Sequence, residues 1–229
     1  AGLAGRLAVA PLAVSLDASE PTSVASLQGD ALVVRLPGAE PVTVCTVSDL
    51  PLPGEHMIGN ALCAAVVALA AGCTPEQIRA GVQHWAPAAH QMSEVAVLDG
   101  VRFIDDSKAT NVDSAIADIG SLTGPVYVVA GGQTKGADMQ PFGDFLVARA
   151  SGVFLIGEGA FEIAAGIAGR VEVTMAQEIE VAVREAHAAA SPGGTVILAP
   201  ACASFDQFSG QAERGDRFAA AVETLAEQQ

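Results

Sequence analysis

The sequence predicts an α/β fold with a doubly wound, mostly parallel sheet, preceded by a short β-rich segment. After Ser107, short apolar runs alternate with amphipathic stretches, which is the pattern of a parallel sheet covered by helices on both faces. Residues 1–53 contain short strand-like runs without an accompanying amphipathic helix. So few short strands do not make a stable domain alone, which indicates an appendage or the end of a larger domain.

The β-rich segment and the residues that follow it are separated by a change of pattern near residue 54. Strand-like runs lie at 7–16, 23–27, 31–36 and 42–47. A helix is predicted over 57–71, and Thr74-Pro75-Glu76-Gln77 is a capping box with Pro at the first helical position, which predicts a second helix to about Trp85. Asp99-Gly100, between two apolar runs, predicts a β-hairpin.

The remaining elements alternate between strand and helix. Predicted strands cover residues 126–130, 153–156, 171–175 and 195–199. Predicted helices lie near 139–150, 160–168 and 176–190, and a last one begins at about 211. Parallel sheets of this kind bind ligands in the loops at the carboxyl ends of their strands.

Composition limits the classes of function. The chain has 229 residues, a formal net charge of −15, 51% hydrophobic and 16% charged residues. A strongly acidic chain without a Lys/Arg-rich run is not expected to bind nucleic acid, and the apolar content predicts a packed core. The cysteines stand singly, so we expect reduced thiols, no metal site and a cytoplasmic location.

Two apolar segments are compared with membrane elements. Residues 57–73 carry no charge, but the segment is Ala-rich, includes Gly59 and Asn60 and lacks a basic flank, which favours a buried helix over a transmembrane one. The N-terminal stretch contains Pro11 and then alternates like a strand, which favours folded structure over a signal peptide. No membrane contact is predicted.

Both lysines of the chain lie in loops that follow predicted strands. Lys108 belongs to Asp105-Asp106-Ser107-Lys108-Ala109-Thr110-Asn111, and Lys135 to Gly131-Gly132-Gln133-Thr134-Lys135-Gly136-Ala137-Asp138. Two cations at strand ends, beside glycines and hydroxyl groups, predict a site for a carboxylate or phosphate. The alternative is that two surface lysines simply fall in loops.

Two other loops carry weaker signals. In Pro200-Ala201-Cys202-Ala203-Ser204-Phe205-Asp206-Gln207-Phe208, a buried thiol at Cys202 is favoured over a nucleophile. Ser204 is favoured as a hydrogen-bond donor, because the Gly-x-Ser-x-Gly elbow is missing. Gly157-Glu158-Gly159 opens a predicted helix but lacks the third glycine of a dinucleotide fingerprint, so an oxidoreductase is disfavoured.

Three of these motifs, DDSKATN, GGQTKGAD and PACASFDQF, occur in that order at strand ends and resemble those of the Mur ligases, particularly the members that add D-glutamate. The resemblance implies that residues 1–53 are the tail of a central ATP-binding domain and that 54–229 are a C-terminal, Rossmann-like, amino-acid-binding domain. It implies a ligase that uses ATP and Mg²⁺ to join D-glutamate to UDP-N-acetylmuramoyl-L-alanine during peptidoglycan synthesis. The chain has no Gly-x-x-x-x-Gly-Lys-Ser/Thr loop, so it is expected to be inactive alone and to bind no cofactor strongly.

The resemblance also implies roles for individual residues, although it names neither a catalytic residue nor a metal ligand in this chain. It implies that the D-glutamate carboxylates are held by Thr110, Lys135 and Ser204, with Lys108 close by. It further implies that Asp106 faces the nucleotide ribose and that His56 and Asn60 reach the adenine side. Helix capping is the alternative role for His56, and polar helix packing is the alternative for Asn60.

Three positions depart from the family pattern. Met57 replaces an Asn, Gln91 replaces an Arg, and Gln211 replaces an aromatic residue near the amino acid. The first two lie on the nucleotide side, where loss of a cation facing phosphate weakens binding. All three departures support an alternative function, a degenerate homologue that acts as a non-catalytic binding or regulatory module.

Overall fold

A computed structural model describes residues 12–20, 22–52, 54–190 and 192–227, in two compact units that divide between Pro87 and Ala88. The α/β class and the mostly parallel sheet are confirmed. The expectations for residues 1–11 lie outside the described residues. None of the described helices is both long enough and apolar enough to cross a bilayer, and the segment compared above with a membrane span forms a helix of unit 1.

Unit 1 is a four-stranded sheet packed against two helices. The strands are β1 (Ala13–Ser15), β2 (Ser23–Gln28), β3 (Ala31–Val34) and β4 (Val42–Thr46), adjacent in that order, and the helices are α1 (Glu55–Ala70) and α2 (Pro75–His84). Strands β1 and β2 are parallel, whereas the other pairs are antiparallel. The predicted capping box begins α2, because Thr74 Oγ1 accepts from the Gln77 backbone N–H at 3.3 Å and Gln77 Oε1 accepts from that of Thr74 at 2.9 Å.

The two helices of unit 1 belong with its sheet. Leu32 and Val34 of β3 share one buried core with Leu62 of α1 and Ile78 of α2. The compact unit therefore extends to residue 87, whereas the sequence pattern places a boundary at 53–54. The pattern marks a change from strands to helices, and burial of these apolar faces joins them into one core.

Unit 2 has a six-stranded sheet with one antiparallel edge. The strands are β5 (Ser93–Leu98), β6 (Val101–Asp105), β7 (Val126–Gly131), β8 (Gly152–Ile156), β9 (Val173–Gln177) and β10 (Thr195–Leu198), in the spatial order β5-β6-β10-β7-β8-β9. The predicted hairpin at Asp99-Gly100 joins β5 to β6 in antiparallel register, and the other neighbours are parallel. The strand predicted at 171–175 lies two residues later.

Helices cover both faces of this sheet, as predicted for a doubly wound fold. The helices are α3 (Val112–Gly120), α4 (Gln140–Arg149), α5 (Ala160–Ile167), α6 (Ile179–Ala189) and α7 (Gln211–Glu227). One core joins α3, α4 and α5 to Val128 of β7, and the other joins α6 and α7 to Val129 of the same strand. Successive strand residues point to opposite faces, so each strand contributes to both cores.

The strand order places the three candidate loops side by side. Strand β10 lies between β6 and β7, so the loops that follow these three strands are neighbours. The chain passes from β6 and β7 to helices on one face and from β10 to α7 on the other. Open α/β sheets bind their ligands at the carboxyl edge, at the point where the chain reverses in this way.

Candidate functional site

Lys135 lies exposed at the tip of the loop after β7. A tight turn places Lys135 there. In this turn the Ala137 N–H donates to Thr134 O at 3.1 Å, and Lys135 and Gly136 have positive φ values of 53° and 75°. Its Nζ lies 5.2 Å from the ring centroid of Phe205, on the loop after β10. Because a ring face attracts an ammonium group, this contact holds the cation over the neighbouring loop.

Lys108 and Thr110 are exposed on the loop after β6. Because Lys108 shares its loop with Asp105 and Asp106, a partial ion pair is the expectation from sequence. That expectation is wrong, since neither aspartate forms an ion pair with Lys108 among the described residues. Asp105 contacts His90 Nδ1 at 2.6 Å, and Asp106 Oδ1 accepts from the Met92 N–H at 3.1 Å. Both carboxyls point inward, which leaves the two exposed groups available to a ligand.

Ser204 lies on the loop after β10 and is 2% exposed. Backbone bonds join this loop to the one after β7: Gln133 N–H donates to Ala203 O at 2.8 Å, and Ala203 N–H donates to Gln133 O at 3.0 Å. The two loops therefore form one short antiparallel bridge. The structure thus places the loops of Lys135 and Ser204 side by side.

The loop after β8 closes the other side of this arrangement. Glu158 N–H donates to Asp206 Oδ2 at 2.9 Å, and Gly159 N–H donates to Gly132 O at 2.7 Å. Donors that a dinucleotide fingerprint offers to a pyrophosphate are thus occupied by the protein itself. These bonds join the loop after β8 to the neighbouring loops of the site, which agrees with the expectation that an oxidoreductase is disfavoured.

Asp106 and Asp118 form a buried carboxyl pair at the end of β6. Asp106 is 1% exposed and Asp118 9%. No N–H or hydroxyl group of the described residues donates to Asp106 Oδ2, and Asp118 is the nearby group that acts most strongly on the Asp106 carboxyl. Burial, then the neighbouring Asp118 charge, raises the pKa of Asp106, so the pair keeps a proton. The ribose contact predicted for Asp106 stays a prediction, and in this structure the carboxyl faces the interior.

Arg214 is the residue that sequence reasoning missed. It lies on α7, is 0% exposed, and its guanidinium donates to Ser107 and to Cys202 O. In the sequence it is an arginine three residues into a predicted helix. From sequence alone such a residue cannot be distinguished from an exposed arginine on the helix surface. Cys202 itself is 1% exposed, and burial raises the pKa of its thiol to about 12, which fits the predicted buried thiol.

The residues predicted for the nucleotide side lie partly in unit 1. His56 and Asn60 are on α1, with His56 half-buried and Asn60 exposed. Asn60 and Met57 line a groove of about 420 Å³ within unit 1, whose other lining residues are mostly apolar. Met57 is 7% exposed. At this position, where the family pattern has an Asn, the chain therefore packs an apolar side chain.

The other two departures lie in unit 2. Gln91 is half-buried next to His90, whose imidazole contacts Asp105. Gln211 begins α7, its backbone O accepts from Ser107 Oγ at 2.7 Å, and its buried Oε1 receives no hydrogen bond from the described residues. Neither residue supplies the cation or the aromatic ring that the family pattern has there.

Gly132 is closely packed between the loops after β7 and β10. Its φ is +127°, and an added Cβ would lie 2.3 Å from Ala203 O. Replacing Gly132 with Ala is expected to lower the free energy of unfolding by about 2 to 5 kcal/mol, through backbone strain and overpacking. Urea denaturation measures the loss. Gly136→Ala, at φ +75° with nothing within 4 Å, is the control, and an equal loss in both variants contradicts the packing argument.

Together these features define an α/β domain with cations, hydroxyls and closely packed glycine loops at the carboxyl edge of its sheet, suited to a small anionic ligand. Residues 90–202 match the family model described as Mur ligase, glutamate ligase domain. The chain belongs to the Mur ligase family.

Curated relatives support the same assignment. The UDP-N-acetylmuramoylalanine--D-glutamate ligase of Frankia casuarinae is 47% identical over 183 residues, which are 77% of this chain and 38% of that protein. The ligase of the same name from Solibacter usitatus is 41% identical over 177 residues, 77% of this chain and 40% of that protein. The chain thus spans about two fifths of the length of these relatives.

Solved structures agree on the fold. The UDP-N-acetylmuramate-alanine ligase of Thermotoga maritima superposes with a TM-score of 0.65 at 14% identity, over 91% of this chain and 47% of that one. Folylpolyglutamate synthase of Mycobacterium tuberculosis superposes with a TM-score of 0.56 at 20% identity, over 88% of this chain and 46% of that one. At these identities the likeness concerns the fold.

Proposed function

We propose that unit 2 is the D-glutamate-binding part of an ATP-dependent ligase that extends UDP-N-acetylmuramoyl-L-alanine in peptidoglycan synthesis. One observation carries the proposal: the loops of Lys108 and Thr110, of Lys135 and of Ser204 adjoin at one sheet edge. The names of the curated relatives support D-glutamate as the amino acid. The four cysteines are free thiols, which suits the reducing cytoplasm.

The chemistry of D-glutamate fits this set of side chains. The ligand carries two carboxylates and an amine, and the amine must be neutral to attack an acyl group. Lysine ammonium and hydroxyl groups bind carboxylates with charge-assisted hydrogen bonds. In our proposal Lys135, Thr110 and Ser204 hold the carboxylates, with Lys108 nearby. The neutral amine attacks the L-alanine carboxyl after ATP has converted it to an acyl phosphate; the amide C–N bond forms, the C–O bond to phosphate breaks, and the amine loses a proton.

The described residues do not fit ATP and Mg²⁺ by themselves. The sequence contains no phosphate-binding Gly-x-x-x-x-Gly-Lys-Ser/Thr loop, and within the described ranges no three His, Cys, Asp or Glu side chains meet in a metal-binding cluster. We therefore give the residues of this chain no role in a reaction step that involves the nucleotide phosphates. His56, Asn60 and Asp106 remain proposed contacts to a nucleotide that is held mainly by other parts of the enzyme.

Direct binding tests the proposal. The purified 229-residue chain is titrated with D-glutamate and, in parallel, with L-glutamate, while backbone amide resonances are followed by NMR. Saturable shifts confined to the loops after β6, β7 and β10, with D-glutamate preferred, are expected. Equal shifts with both enantiomers, or none, contradict the proposal.

The chain alone is expected neither to hydrolyse ATP nor to form the amide, because it lacks a phosphate-binding loop. Phosphate release is measured with ATP, D-glutamate and UDP-N-acetylmuramoyl-L-alanine, and turnover by the chain alone would refute this prediction. Adding the separately expressed remainder of the Frankia casuarinae relative distinguishes the alternative. Restored turnover supports a ligase part. D-glutamate binding without turnover supports the non-catalytic module, which Met57, Gln91 and Gln211 favour.

A further inference from the structure

One buried guanidinium group donates hydrogen bonds to two of the candidate loops and lies beside the third. Arg214 Nε donates to Ser107 Oγ at 2.9 Å, Nη2 donates to Ser107 O at 2.9 Å, and Nη1 donates to Cys202 O at 3.1 Å. A Cβ built on Gly132 would lie 3.2 Å from Nη1, so the same group lies against the loop after β7. Arg214 is thus at the junction of the loops after β6, β7 and β10.

Each of these contact points is close along the chain to a proposed ligand-binding side chain. Ser107 immediately precedes Lys108, and the two other contact points lie two residues before Ser204 and three before Lys135. A shift of the guanidinium would therefore move the backbone that carries all three side chains. Displacements of about 1 Å at such supporting contacts are enough to weaken a binding site.

The surroundings of Arg214 are unusual for a buried cation. Its hydrogen-bond acceptors are a hydroxyl and two backbone carbonyls, and no carboxylate of the described residues lies within 4.0 Å of it. The carboxylates of Asp105 and Asp206 act on it only at longer range. Burial lowers the pKa of Arg214 to about 10, so the group stays charged at neutral pH.

An ion in such a place is costly for folding, since burial removes its hydration and neutral acceptors restore only part of it. A contribution to stability therefore does not explain the presence of this buried guanidinium. The position of Arg214 suggests an electrostatic role. The cation lies beneath loops that carry two lysines, so it adds to the positive potential that faces a ligand with two carboxylates. Because it is buried, water does not screen its charge.

We infer that Arg214 is a positioning residue, which holds the loops of Lys108, Lys135 and Ser204 in register and places a buried positive charge beneath them. The inference rests on the proposed function for the identity of the ligand, D-glutamate. The positioning role itself concerns the loops and is measurable without any ligand.

The test uses Arg214→Lys in the full 229-residue chain. Lysine keeps the charge but has a single nitrogen, so it cannot reproduce the three-point contact. At a temperature where far-UV circular dichroism and urea denaturation show both proteins folded, we expect the D-glutamate Kd to rise about tenfold or more. In the unliganded state, we expect the amide resonances of all three loops to shift together.

Arg217→Lys is the matched control. Arg217 lies one turn away on α7, is half-exposed and pairs with Glu180, so its replacement is expected to leave both the Kd and the loop resonances unchanged. If Arg214→Lys fails to fold, Ser107→Ala takes its place, because it removes the acceptor of Nε and keeps the arginine. Ser107→Ala is expected to weaken D-glutamate binding about three- to tenfold and to shift the loop after β6.

The outcomes separate the two proposals. If the wild-type chain does not bind D-glutamate but the loops shift in Arg214→Lys, the proposed function fails and the positioning role stands. A folded Arg214→Lys variant with reduced stability but unchanged loop resonances and unchanged Kd overturns the inference and leaves Arg214 a purely structural residue. For Ser107→Ala, unchanged resonances and affinity do the same.

Discussion

Replacing Lys135 with Ala is expected to weaken D-glutamate binding about 10- to 150-fold, which corresponds to the loss of a charge-assisted hydrogen bond of about 1.5 to 3 kcal/mol. The lysine is exposed at the tip of the loop after β7, and the ring of Phe205 lies under its ammonium group at 5.2 Å. Without the cation, a ligand carboxylate would leave water and find no charged partner. Titration of the 229-residue chain with D-glutamate, followed by NMR, measures the change.

Lys108→Ala is the matched comparison, and a smaller loss is expected. This ranking rests on the contact with Phe205, which limits the conformations of Lys135. No ion pair or ring contact within the described part of the chain restrains Lys108 in the same way. Phe205→Ala is then expected to have an intermediate effect. Undiminished affinity in Lys135→Ala, together with a large loss in Lys108→Ala, would reverse the assignment.

Replacing Asp106 with Asn is expected to stabilise the protein at pH 8 and to flatten the dependence of its stability on pH. Burial raises the pKa of Asp106 to about 9, so the folded chain holds a proton that the unfolded chain releases near pH 4. The stabilisation is complete below that unfolded pKa and is lost as pH rises toward 9. Each pH unit in this window lowers the free energy of unfolding by about 1.4 kcal/mol.

Asparagine removes this dependence because its amide is neutral at every pH. Its N–H₂ can donate to Asp118, and its oxygen can still accept from the Met92 N–H. Urea denaturation between pH 5 and pH 8, followed by circular dichroism, gives the slope of the free energy of unfolding against pH for each protein. Asp113→Asn, which changes an exposed carboxylate on the same helix as Asp118, is expected to keep the wild-type slope. Parallel slopes for wild type and Asp106→Asn would show that the carboxyl pair shares no proton.

Local patterns in the sequence predict much of the fold. Asp99-Gly100 specifies a tight hairpin, and the capping box at Thr74 begins α2 where expected. Both signals act over a few residues, through backbone conformation and short hydrogen bonds, so distant parts of the chain do not alter them. The alternation of apolar runs and amphipathic helices likewise specifies a parallel sheet covered on both faces.

The interior of the site was beyond sequence reasoning. Nothing in the spacing of Arg214 distinguishes it from an exposed arginine such as Arg217, three positions later on the same helix. The pairing of Asp106 with Asp118 joins a strand end to a helix that begins several residues later. Which carboxyl turns inward depends on the space between those two elements, and sequence does not report it.

By itself, then, the sequence determined the α/β class, the two loops that carry the lysines and the motifs of the Mur ligase family, because these depend on residue type and local order. The tertiary structure alone decided that β10 lies between β6 and β7, that Asp105 and Asp106 point away from Lys108, and that α1 and α2 share a core with the first sheet. These features arise when surfaces distant in sequence exclude water from one another, and the cost of burying each charge depends on the partners that packing supplies.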